Sequence, residues 1–361
     1  MSAPRGRGLI VTADDFGVHP SVNAAVERAH RDGILTAASL MVGAPAAEDA
    51  IARARALPGL RVGLHLVVTD GASVLPPRAI PDLVDAQGRF GGRMARDGAR
   101  YFCLPRVRRQ LALEIRAQFD AFAASGLPLD HVNAHKHFHL HPTILALILD
   151  IGRAFGLQAV RLPRETGPPG KASPGWLRPW LALLEARLDA ARIGHNDYVA
   201  GIRQSGRFDE AALLDALCNL PTSGIGELYL HPALASGAEV APSMRGYRHA
   251  DEFAALVSPH VRAVCGALRA QGWRFGGFAD LVAATGDGAD NRAVGAGNRD
   301  VRAGSRAVGA GSRADNVGTG GTGGHLAGHA DAPPGTPPAG VPPCLRGNAA
   351  AGRTTDHRDG P

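Results

Sequence analysis

The chain has 361 residues, 45% of them hydrophobic, enough to bury the core of one large domain or two ordinary ones. Its formal charge is +6 and its sequence pI about 9.6, yet no basic run carries interleaved aromatics, which argues against nucleic acid as a partner. No apolar run is long enough to span a bilayer or act as a signal peptide, and Cys103, Cys218, Cys265 and Cys344 form no CxxC pair, so a cytoplasmic protein with scattered thiols is expected.

In chain order, residues 9–13 read as a short buried strand and Pro20 opens a helix to about residue 31, with Val22, Ala25, Val26 and Ala29 on one face. Strands are expected at 38–42 and 60–68, with a helix at 46–56 between them. Residues 69–102 are rich in Gly, Pro and Arg and form a long loop suited to covering a substrate. A helix follows at 106–124, with Val107, Leu111, Ile115, Phe119 and Phe122 at helical spacing. Then come a strand at 131–135, a helix at 143–155, a strand at 159–162, and helices at 176–193 and 210–218. A strand at 227–231, a helix at 251–271 and a short strand at 273–275 complete the series. In the 176–193 helix, Trp176, Leu177, Trp180, Leu181, Leu184 and Leu188 share a face beside Arg178, Arg187 and Arg192. That face suits packing on the body of the protein or resting on a membrane.

From 286 to 361 the chain is dominated by small residues, Gly and Pro, without Phe, Trp, Tyr or Ile, and repeats Arg-Ala-Val-Gly-Ala-Gly at 292–297 and 306–311. Such a segment cannot bury enough apolar surface to offset its ordering entropy, so a folded domain over 1–285 and a disordered tail over 286–361 are expected. Strands alternating with helices predict an α/β fold with a parallel sheet and helices outside. About seven strands suit a (β/α) barrel, seven-stranded or irregular; a doubly wound open sheet is the competitor.

The chemistry gathers at strand ends. Asp14 and Asp15 follow the first strand, and Gly17 breaks it. Adjacent strand residues face opposite ways, so both carboxylates reach one site only if the chain turns there. One could bind a metal while the other takes a proton from water; the plainer alternative is a helix N-terminus favoured by its dipole. His65 interrupts an apolar strand, and Gly63 before it suggests a close backbone approach. His131, His135, His137, His139 and His141 share parity, so an extended chain would aim all five to one face; a solvated loop is the alternative. His135, nearest the strand end, is the ligand choice, with His137 and His139 as contacts to substrate or to the ligands. Arg161 ends a strand and could orient a carboxylate or bind substrate. His231 ends another, before Pro232, where it fits a general acid.

These residues resemble the YdjC-like carbohydrate deacetylases. The run Ile10-Val-Thr-Ala-Asp-Asp-Phe-Gly17 with Asn23, then Gly63-Leu-His65, Asn133-Ala-His135-Lys-His137-Phe-His139, Arg161 and Leu230-His231-Pro232 follow that family's order over about 8–285. The form of Asn133–Pro142 is most similar to the hopanoid-biosynthesis-associated branch. The resemblance implies a (β/α) barrel that removes acetyl groups from N-acetylated sugars with one divalent metal ion, Mg²⁺ or alternatively Zn²⁺. Asp15, His65 and His135 would be the ligands, Asp14 the base, His231 the acid, and Asn133, His137, His139 and Arg161 supporting or substrate contacts. Relatives such as chitooligosaccharide deacetylases carry Asp where this chain has Asn133, which removes a charge near His135. The implied substrate is an N-acetylglucosaminyl hopanoid glycolipid. A homodimer and peripheral contact at the inner membrane are the further partner expectations. Rival readings are a metal-dependent phosphoesterase, which usually gathers two or three metals, and a non-catalytic metal- or sugar-binding protein.

Overall fold

The structure, a computed structural model, describes residues 6–165, 173–235 and 240–282. The expected tail over 286–361 lies outside the described residues. In chain order the elements are β1 (Gly8–Phe16), α1 (Pro20–Asp32), β2 (Ala37–Leu40), α2 (Ala47–Arg55), β3 (Arg61–Leu66), α3 (Met94–Cys103), α4 (Pro105–Ala124), β4 (Val132–Ala134) and α5 (Pro142–Gly152). They continue with α6 (Arg178–Ala190), β5 (Tyr198–Ala200), α7 (Glu210–Cys218), β6 (Ile225–Leu230), α8 (His249–Val257), α9 (Pro259–Ala270), β7 (Arg274–Phe275) and α10 (Phe278–Leu281).

All strand pairs are parallel, in the order β4-β3-β2-β1-β6-β5, with β7 on the first two residues of β1. Every residue of β1 is buried, as expected for the central strand of a sheet covered on both faces. The edge strands β4 and β5 are linked through residues 159–165 by the single parallel bridges Val132↔Val160 and Glu165↔Val199. The sheet therefore curls toward an irregular (β/α) barrel, as the sequence predicts. The expected strand at 159–162 is the irregular stave. Pro163 has no N–H for a ladder, and the side-chain amide of Asn196 takes up both backbone groups of Leu162 at 2.8 Å.

Two other expectations change, and one open alternative narrows. The helix expected at 251–271 is split at Ser258-Pro259: Pro259 forces Ser258 into an extended conformation, and the Ser258 hydroxyl then caps α9. The face shared by Trp176 and Trp180 is mostly packed. Leu181, Leu184 and Leu188 are buried, Trp180 donates to the Leu140 carbonyl, and Trp176 alone is largely exposed, at 80%. Cys218 is disulfide-bonded, so not every thiol is free.

The long segment after β3 is no loose lid. It contains α3 and is stapled by a buried polar stripe on α4. Gln118 bonds both backbone groups of Val67, Glu114 accepts from the N–H groups of Val74 and Leu75, and Gln110 accepts from that of Asp82. Spaced four residues apart, these side chains share one helix face. Glu114→Ala strands two part-buried donors and should cost about 1–3 kcal/mol in urea unfolding. Amide exchange over 70–91 should rise first; unchanged exchange there would contradict the stapling.

Candidate active site

The strand register brings the chemistry to one level. Ala13 pairs with Ala38 on one side and Leu230 on the other, and His65 pairs with Asn133. Asp14, Asp15, His65, His135 and His231 thus gather at the C-terminal ends of the strands, where barrels of this kind carry their sites.

Between Ala13↔Ala38 and Phe16↔Leu40 the strand β1 holds one residue more than β2, a bulge at Asp14-Asp15. Asp15 sits at φ +61°, a left-handed conformation costly for a residue with a Cβ. This is the turn that lets two adjacent carboxylates serve one site. Gly17, at φ +99°, continues it, and its N–H donates to the Asn23 side chain at 2.8 Å. Asn23 in turn donates to the Ala46 carbonyl and to Asp49, tying the turn to α2.

Asp15 Oδ1 lies 3.2 Å from His65 Nε2 and 3.1 Å from His135 Nδ1. One ligand atom from each of the three residues lies within 4.8 Å of the others, and among the described residues no other His, Cys, Asp and Glu group converges this way. Asp15 Oδ2 is buried without a hydrogen-bond partner. An orphaned carboxylate oxygen beside two imidazoles fits a divalent cation. His231 Nε2 is 3.9 Å from that oxygen.

Asp14 is held differently. Arg161 binds it through two nitrogens, at 2.6 and 3.0 Å, and binds Glu227 through two contacts, at 2.7 and 2.8 Å. Thr12 completes Glu227 at 2.7 Å, and the guanidinium lies 4.9 Å over the Tyr229 ring. Asn133 accepts from His65 Nδ1 at 2.6 Å and donates to Asp14 at 3.1 Å and Ser39 at 2.9 Å. A carboxylate at 133 could not donate to Asp14, so the amide suits this neighbour. That N–H assignment leaves His65 Nε2 bare toward Asp15.

The histidine ladder does not run extended. Lys136 and His137 both adopt φ +55°, and a 3₁₀ turn over His135–Leu140 breaks the alternation. The rings disperse. His131 lies against Ser39 and Asp130, and a Cβ on Gly63 would meet its ring at 2.5 Å, the close approach the sequence suggests. His137 Nε2 faces the Tyr229 hydroxyl at 3.2 Å. His139 accepts from the Ala134 N–H and donates to the Arg161 carbonyl, so it braces backbone. His141 packs against Tyr101 and Phe102.

Burial alone would raise both aspartates, but Arg161 and His65 hold Asp14, and His135 and His65 hold Asp15, well below the usual carboxylate range. Burial opposes a charge on His65, but Asp14 and Asp15 raise it overall. Burial takes His231 down to about 4 and pushes Glu252 up to about 7. Residues the sequence reading missed are Glu227, Ser39, Tyr229 and Glu252. Glu227 alone carries a signal, as a charge inside an apolar strand.

A cavity of about 380 Å³ opens beside His135, lined by Met41, Val67, Asp70, Arg89 and Met244. Asp70 pairs with Lys136 at its edge. Burial and the Arg161 charge lower His139 from 6.5 to about 3. Between those values the unfolded chain binds a proton that the folded protein refuses. Its stabilising contribution is therefore complete above pH 6.5 and is lost as pH falls toward about 3. His139→Gln, which keeps both hydrogen bonds, should flatten the loss of stability between about pH 7 and pH 4. Identical pH dependence in the two proteins would contradict this assignment.

Comparison with known proteins places the chain. The family model described as YdjC-like protein matches residues 8–267. A carbohydrate deacetylase of Geobacillus stearothermophilus is 30% identical over 70% of this chain and 90% of its own length. A chitooligosaccharide deacetylase of Serratia marcescens is 31% identical over 76% and 98%. A carbohydrate deacetylase of Brevibacillus brevis is 40% identical over 43% of this chain, and that match spans 59% of the relative. Among solved structures, an Enterococcus faecalis protein named as a candidate cellobiose-phosphate cleavage protein is 22% identical. It superposes with a TM-score of 0.60 over 77% of this chain and 99% of that one, a likeness of fold. The chain belongs to the YdjC-like family.

Proposed function

We propose that this protein is a carbohydrate N-deacetylase that hydrolyses the acetamide of an N-acetylhexosamine unit. One observation carries the reading: a buried aspartate and two histidines close enough together to hold one cation, with a second carboxylate and a third histidine beside them. The names of the relatives support the substrate class. When bound, a divalent cation there polarises the acetyl carbonyl and acidifies a neighbouring water. Mg²⁺ is the proposed ion, and imidazole ligands also suit Zn²⁺.

The chain's own residues do the rest. Asp14 takes the water's proton as the new C–O bond forms; Arg161 keeps this carboxylate ionised while lowering its basicity. His231 protonates the sugar nitrogen as the C–N bond breaks. Asn133 and Arg161 fix Asp14, and His137 with Tyr229 forms part of the same wall. Phosphate chemistry commonly gathers two metals, whereas the described residues offer one group that could hold a cation.

Within this class we favour a hopanoid lipid bearing N-acetylglucosamine. The support is the Asn133–Pro142 run together with the apolar side chains Met41, Val67 and Met244 in the adjoining cavity. No helix among the described residues is long and apolar enough to cross a membrane, so access to such a lipid would be peripheral. Exposed Trp176 is the proposed contact.

Purified protein should release acetate from N,N′-diacetylchitobiose and from the glycolipid. A chelator should abolish the activity and added metal restore it. Asp14→Asn and His231→Ala should each lower kcat by about 10²–10⁴-fold. No acetate from any N-acetylated glycan, with metal supplied, would sink the reading. Trp176→Ala should weaken co-sedimentation with anionic vesicles; unchanged binding would reject the membrane contact.

A further inference from the structure

We infer that Glu252 is the positioning residue of His231, a role that rests on the deacetylase reading above. His231 stands at the end of β6, directly before Pro232, where ladder pairing stops. Its backbone is instead held from α8. Glu252 Oε2 accepts the His231 N–H at 2.5 Å, and His249 Nδ1 donates to the His231 carbonyl. Glu252 is itself fully buried, and its other oxygen accepts from the Phe208 N–H at 3.1 Å.

The His231 ring is aimed by the same residue. Nε2 points at Asp15 Oδ2 from 3.9 Å, toward the cation site. Nδ1 is buried and without a hydrogen-bond partner, and Glu252 Oε2 lies 3.9 Å from it. That distance is long for a hydrogen bond, but catalytic contacts commonly tighten only when substrate is bound. A Nδ1–H donated to Glu252 leaves Nε2 as the nitrogen that gives its proton to the sugar amine. The step starts from His231 protonated on both nitrogens, the second proton taken from solvent; the C–N bond breaks, the amine gains the Nε2 proton, and His231 is left neutral with Nδ1–H on Glu252. The water's proton is on Asp14, so charge and atoms balance.

The test separates aim from architecture through the leaving group. An amide must have its nitrogen protonated to leave, whereas p-nitrophenyl acetate releases a phenolate that needs no proton. Wild-type protein with metal, Glu252→Gln, Glu252→Asp, His231→Asn and the Glu252→Gln/His231→Asn double variant are assayed on N,N′-diacetylchitobiose and on p-nitrophenyl acetate. Glu252→Gln should lower kcat on the amide by about 10–100-fold with KM nearly unchanged, and alter ester hydrolysis by less than about 3-fold. The double variant should be no slower on the amide than His231→Asn, because the two residues act as one unit. Equal losses on amide and ester, no loss on either, or losses that multiply in the double variant would overturn the role. If Glu252→Gln does not fold, Glu252→Asp decides. A loss confined to the amide supports the role, and equal loss on both substrates or no loss on either rejects it. A wild-type protein that releases no acetate from the amide overturns the deacetylase reading itself. Wild-type activity with the wrong variant pattern overturns only the role of Glu252.

Discussion

The buried guanidinium of Arg161 is the interaction on which the site depends. It comes from the irregular stave between β4 and β5 and binds Asp14 on β1 and Glu227 on β6. It thus ties the segment that has no regular ladder to the two strands at the centre of the sheet. The same contact fixes Asp14 on the bulge. A buried ion network of this kind is a poor source of net stability, but removing one member leaves charges stranded and commonly costs about 3–5 kcal/mol. Here the network serves geometry.

Charge explains why the site fits a cation. Asp14, Asp15 and Glu227 are all buried, and Arg161 is the guanidinium among them. Three carboxylates against one guanidinium leave an excess of two formal negative charges when the imidazoles are neutral. Protonating a ligand imidazole would offset part of that excess but remove the lone pair a metal would take. A divalent cation offsets it and leaves both rings neutral. Asn133 suits the same arrangement. An amide donates to Asp14 and accepts from His65, where a carboxylate would add charge against Asp14.

Much of the site is legible in the sequence because polar residues recur at the ends of apolar strands; each alone has a plain alternative, but together they follow one family's order. Asp14, Asp15, His65, His135 and His231 all fall into that class and all converge. The histidine ladder misleads because strand parity assumes extended backbone, and two successive left-handed residues at Lys136 and His137 cancel it. Glu252 and the Gln110-Glu114-Gln118 stripe are invisible for another reason. A buried polar residue on a helix has the spacing of a solvated one, and its partners are backbone groups far along the chain. The break at Ser258-Pro259 is readable from local chemistry, whereas the end of pairing at Leu162 depends on Asn196, more than thirty residues away.

The most direct test of the account is calorimetric titration of metal-stripped protein with Zn²⁺ and with Mg²⁺, alongside Asp15→Ala and His65→Ala. The account predicts about one ion per chain, with binding lost in both variants. Two or more ions per chain, or binding indifferent to Asp15 and His65, would contradict it.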